Sequence, residues 1–213
     1  MKIFVDTGKK NQSAYFGWAT ENQALYGLRE GYKNSADELV EIVLRNGNDN
    51  KMLDTYIFPI VFSCRHSIEI LLKHIYFRAK GKLPEGGHDL LALWDKVKKE
   101  IVDELINSDD FINQVKSYKR RFFKYSLKDI SLPNLRMLLK ELQEANQSDI
   151  EIRSNNKQID SKAQVWRYLM SPDGELYFNS THFIDYVELK KGIDEIYNDL
   201  EFIYVIIDDY LST

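Results

Sequence analysis

Cysteine, proline and glycine are all scarce: Cys64 stands alone, with four prolines and ten glycines among 213 residues. A lone cysteine excludes an internal disulfide and builds no zinc site without histidines and carboxylates. It fits a reducing cytoplasm. Few turn-formers, beside 44% hydrophobic and 13% aromatic residues, exclude disorder as a description of the whole chain. No run approaches the roughly 18 apolar residues of a membrane span. The opening residues, MKIFVDTGKKNQ, contain no apolar stretch of the export-signal type. The chain is therefore expected to be cytoplasmic, neither exported by that route nor membrane-spanning. An excess of basic residues is also missing. Formal charge is −4 and the isoelectric point about 5.7, so any contact with nucleic acid must be a local patch.

What is present is helical periodicity. A chain of this length suits one domain, 1–213, able to bury roughly 70% of the surface its unfolded form exposes. Residues 1–33 read as an irregular lead-in, with Tyr15, Phe16, Trp18, Leu25 and Tyr26 as packing anchors. The first clear helix opens at Ser35, where Glu38 completes a capping box, and stops near Gly47. A second runs from about Lys51 to Arg78, with a kink or fresh start expected at Pro59. Its Val61, Cys64, Ile68, Leu71, Leu72 and Ile75 share one side, which makes it the core helix. Leu90 to Leu105 continues the pattern, as does a segment after Ser108 bearing Ile112, Val115, Phe122 and Phe123, and another opening at Ser131 and Pro133. Residues 146–182 read as an irregular insertion, with a short helical piece at 161–169, a turn at Ser171–Gly174 and a brief strand at 175–178. The closing helix, about Asp185 to Leu211, is apolar every three or four residues. The fold class is all-α, an up-and-down helical bundle.

Four constellations carry potential chemistry. On the core helix Arg65, Glu69 and Lys73 follow i, i+4, i+8 spacing in a stripe about 80° wide, with His66 on its flank. That stripe is a solvated face, a buried structural network or a functional site, and spacing leaves all three open. His88, after Gly86 and Gly87, either caps and packs a helix start or works as a general acid or base, or as a phosphate contact beside a helix N-terminus. Arg167, between Trp166 and Tyr168, is either a surface residue or an anchor reaching toward the first stripe. Finally, Lys116, Lys119, Arg120, Arg121, Lys124 and Lys128 interleave with four aromatics and no acidic residue. That run is either a solvated basic face or an RNA surface combining phosphate contacts with stacking. No phosphate-binding glycine loop, zinc-protease motif or metal-ligand cluster is present, so no cofactor is expected.

Three of these stretches resemble one family. Arg65-His-Ser-Ile-Glu-Ile-Leu-Leu-Lys73, then Gly87-His-Asp-Leu-Leu-Ala-Leu-Trp94, then Trp166-Arg-Tyr168 with Asp173-Gly174, are similar to blocks of prokaryotic HEPN-like proteins. The likeness spans most of residues 55–211; Leu169 stands where the family pattern has a proline. It implies a helical bundle whose core helices pair in a homodimer, and roles in RNA cleavage, toxin–antitoxin modules or phage defence, with a nucleotidyltransferase-type protein as a partner. The superfamily's usual Arg-x4-6-His ribonuclease pair is absent: no arginine in this chain stands at that distance before a histidine. If the chain is an enzyme, a metal-independent ribonuclease using Arg65, Glu69, Lys73, His88 and Arg167 is the expectation. The alternative is a non-catalytic interaction module, a dimeric scaffold or adaptor, whose polar cluster is purely structural.

Overall fold

The computed structural model describes residues 8–14, 16–109, 131–144, 160, 163–168, 170–171, 173–174, 176–178 and 180–212. Helix α1 spans Glu21–Arg45 and α2 spans Asn50–Lys80. Helix α3, Leu90–Val97, passes through a π-helical turn at Lys98–Val102 into the short α4, Asp103–Ile106. Helix α5 is Leu132–Glu144 and α6 is Tyr186–Leu211. Among the described residues the only β-type pairing is an isolated bridge between Met170 and Leu176. The protein is an all-α bundle. The basic run Lys116, Lys119, Arg120, Arg121 and Lys124, with the helix expected after Ser108, lies outside the described residues.

Helix α2 is the axis. Ile68, Leu71, Leu72 and Ile75 are fully buried, and α1, α3 and α6 all pack against it. Asp49 caps its start by accepting the Met52 N–H at 3.0 Å. Gly81 ends it at φ +68, a left-handed turn natural to glycine, with its N–H donated to the Phe77 carbonyl. The helix is continuous through Pro59, so there is no fresh start. Proline lacks the N–H that the Thr55 carbonyl would accept, yet both residues lie on the exposed side, where water can satisfy that carbonyl.

Two expectations are corrected. Helix α1 begins fourteen residues before Ser35, capped by Thr20, so most of the second half of 1–33 is helical. The reason is that its buried face is carried by Arg29 and Lys33 instead of apolar residues. Lys33 Nζ donates to Asp37 at 2.6 Å and to Asp194 of α6 at 2.8 Å, and Arg29 forks onto Glu201 of α6. Charges in core positions erase the apolar period on which a helix is recognised. Second, the described part of 161–169 is a hydrogen-bonded turn, in which the Arg167 and Tyr168 N–H groups both donate to the Gln164 carbonyl at 3.0 Å. The turn at Ser171–Gly174 closes as expected, and the closing helix has its cap at Asp185.

Trp18 folds back over α1. A Cβ at Gly27 would lie 2.5 Å from its indole ring. Gly27→Ala is expected to displace Trp18, 40% exposed, and shift tryptophan emission to the red. Stability should change little, because alanine's gain of about 1 kcal/mol in helix propensity opposes the overpacking cost of roughly 1–3 kcal/mol. Unchanged emission would show that the indole does not depend on this glycine.

Candidate functional site

The stripe on α2 is buried. Arg65 is 2% and Glu69 1% exposed, because Arg65 and Glu69 project toward the loop that leads into α3 and the turn at Asp160. A buried charge needs a partner, and here four groups converge on one carboxylate. Lys73 Nζ donates to Glu69 Oε1 at 2.6 Å. His88 Nδ1 stands 2.9 and 3.0 Å from the two carboxylate oxygens. The Arg65 guanidinium lies 3.6 Å away and His66 Nδ1 3.9 Å away. Burial alone would raise the Glu69 pKa. The His66 and Lys73 contacts and the Lys73 and His88 charges outweigh it, and hold the carboxyl at about 2.

His88 is placed by its own backbone. Gly86 (φ +136) and Gly87 (φ +64) adopt left-handed conformations that let the loop turn back onto α2. Asp89 then caps α3 by accepting the Ala92 N–H at 2.8 Å. Arg65 Nη2 donates to the His88 carbonyl at 2.8 Å, which fixes the residue from below. An ionised Glu69 only accepts, so Nδ1 carries the hydrogen that faces it, and Nε2 is the ring nitrogen left for other partners. The imidazole is 46% exposed, open to a ligand while its carboxylate is shut away.

Asp160 belongs to this cluster too, and sequence reasoning left it inside a polar stretch. Its carbonyl accepts from Arg65 Nη2 at 3.0 Å and its carboxylate lies 3.8 Å from Arg65 Nε. The same carboxylate accepts the Gln164 and Val165 N–H groups, which shapes the turn carrying Arg167. Burial raises the Asp160 pKa against the opposing Arg65 charge. Its φ of +44 is a left-handed conformation that aspartate tolerates better than most residues. Nothing in residue type alone marks this aspartate apart from its neighbours.

Arg65, Glu69, Lys73 and His88 thus meet at one place. Arg167 does not touch Glu69. Its exposed guanidinium sits over the rings of Phe62, 5.7 Å away, and Tyr168, 5.3 Å away. Phe62 stacks in turn on His66 at 5.6 Å, and Tyr32 of α1 meets His66 edge-on at 4.5 Å. The rim of the site is therefore aromatic. Three cations, Arg65, Lys73 and Arg167, stand against three carboxylates, Glu69, Asp160 and Asp89, so the formal charges balance with neutral histidines, and the cation exposed to an incoming anion is Arg167 on the rim. Among the described residues no group of histidine, cysteine and carboxylate side chains could hold a metal ion, and no helix is long and apolar enough to cross a membrane. No protein-family model matches the chain, and neither a curated protein nor a solved structure resembles it significantly.

Proposed function

We propose that this chain is an HEPN-like protein that binds or cleaves RNA or nucleotides, acting as a cytoplasmic homodimer in a prokaryotic defence or toxin–antitoxin setting. The observation that carries the proposal is the Glu69–His88 pair: a buried carboxylate, its pKa held low by its neighbours, orienting a half-exposed imidazole at 2.9 Å. Such a pairing fixes the tautomer and leaves the outer nitrogen to accept a proton. In cleavage, His88 Nε2 takes the proton of a ribose 2′-hydroxyl. The resulting oxygen attacks the adjacent phosphorus, the 5′-oxygen leaves with a proton returned to it, and a 2′,3′-cyclic phosphate remains. Lys73 and Arg167 offset the charge that builds on the phosphoryl oxygens. Arg65 touches no substrate; it holds His88 and Asp160 by their carbonyls.

Incubating the full chain with single-stranded RNA tests this. Cleavage should yield cyclic phosphate ends, stop at 2′-deoxy positions, and fall by about 10²–10⁴-fold in His88→Ala. Equal rates for wild type and variant reject the catalytic form.

The burial of Arg65 and Glu69 also favours a second reading, a non-catalytic interaction module in which the cluster is internal scaffolding. Under it, Glu69→Ala lowers the melting temperature while any cellular phenotype, per folded molecule, is unchanged.

A further inference from the structure

Helices α5 and α6 leave a groove of about 520 Å³ between them. Its apolar floor is formed by Leu138 and Leu142 of α5, Leu189 and Ile193 of α6, and the edge of Trp166. At one end stands Phe183, an aromatic ring 91% exposed. Among the described residues, the charged groups that line it are Glu141, Asp185, Glu188 and Glu195 against Lys191, an excess of three negative charges. Asp185 is engaged as the α6 cap, Glu188 faces Lys191 at 3.6 Å, and Glu195 accepts from Asn134 at 2.6 Å. These contacts position the carboxylates without neutralising the rim. Asp199, one turn beyond Glu195, has its pKa raised by partial burial and by the charge of Glu195, as expected beside an unbalanced acidic surface.

Gly192 adds a separate observation. It lies inside α6 and lines the groove, and a Cβ there would meet nothing within 4 Å. Gly27 is kept small by Trp18, whereas among the described residues nothing demands a glycine at 192, nor at Gly31 of α1, and glycine weakens a helix interior. What sets Gly192 apart from Gly31 is its place on the groove wall, where a missing Cβ leaves room for a second backbone to approach.

We infer that the α5–α6 groove receives a basic amphipathic helix of a partner protein, its apolar face on Leu138, Leu189 and Ile193, its lysines or arginines on Glu141, Glu188 and Glu195, and its backbone over Gly192. This interface is independent of the Glu69–His88 site.

The probe is a synthetic leucine–lysine amphipathic peptide of about 18 residues, five helical turns, with a leucine–glutamate peptide of equal length as its counterpart. Binding to the full chain is followed by peptide anisotropy and by Trp166 emission. The lysine peptide should bind and the glutamate peptide should not. Glu188→Lys with Glu195→Lys should weaken binding by about tenfold or more, while Glu38→Lys on α1 leaves it unchanged. Gly192→Leu should abolish binding. Gly192→Ala should weaken it while raising the melting temperature by about 2–4 °C, a separation that damage to the fold cannot mimic. Absent binding of the lysine peptide, equal binding of both peptides, or unimpaired binding by the Gly192 variants would overturn the assignment.

Discussion

Glu69→Ala is expected to lower the melting temperature of this protein by roughly 10 °C. The side chain is 1% exposed and is approached by Arg65, His66, Lys73 and His88. Deleting it leaves the Arg65 guanidinium, itself 2% exposed, facing a cavity. Breaking a buried charged pair costs about 3–5 kcal/mol, and in a chain of this size each kcal/mol moves the midpoint by about 2–4 °C. The effect has a pH signature. The folded carboxyl titrates at about 2 against an ordinary 4.5. A depressed carboxyl contributes stability that is fully present above its unfolded pKa and is lost as pH falls through the folded one. A shift of that size corresponds to about 3 kcal/mol. Wild type should therefore lose stability progressively between pH 4.5 and about 2, and Glu69→Gln should show a flatter profile across that window. A Glu69→Ala midpoint within about 2 °C of wild type, less than 1 kcal/mol on the same scale, would mean the carboxylate is not the keystone of the cluster.

Arg65→Lys is expected to cost about 2–4 kcal/mol, between the roughly 1.5–3 kcal/mol of one charged hydrogen bond and the 3–5 kcal/mol of a broken buried pair. Charge is conserved in this variant, so the loss measures geometry. One guanidinium nitrogen donates to the His88 and Asp160 carbonyls together, while the rest of the group faces Glu69 and Asp160. A lysine ammonium is a point charge on a thinner stem and cannot span that fork. Amide exchange should accelerate in the loop from Gly81 to Asp89, where His88 loses its tether, and the core of α2 should stay protected. Wild-type exchange in that loop would show that Arg65 does not hold it. Any RNA cleavage should fall as well, because a loosened His88 spends less time in line with Glu69.

How much of the fold is legible in the sequence depends on which residues carry the buried faces. The core helix, α3, α5 and α6 are readable because Ile68, Leu71, Leu72, Leu90, Leu93, Leu135, Leu139, Ile193, Ile196 and Leu200 fall on helical periods with strong apolar contrast. The first half of α1 is not, since Arg29 and Lys33 occupy its buried positions. Their partners Asp194 and Glu201 lie more than 150 residues away along the chain, and no local rule connects them. The i, i+4, i+8 run of Arg65, Glu69 and Lys73 is enough to place three of the site's groups on one stripe. Spacing within a helix does not say whether its charged stripe meets water or another segment, because burial is decided by what packs on it.

Residue order alone determined that this is an all-α bundle with Arg65, Glu69 and Lys73 aligned on its central helix, because helix geometry maps spacing onto a face. Tertiary structure decided that the stripe is buried, that His88 and Asp160 close over it, and that Arg167 remains on the aromatic rim. The His88 and Asp160 contacts join residues 19 and 95 positions apart. They exist only because the glycine turn before α3 and the turn at Asp160 both fold back onto α2, where one guanidinium meets the need of two carbonyl groups for a donor.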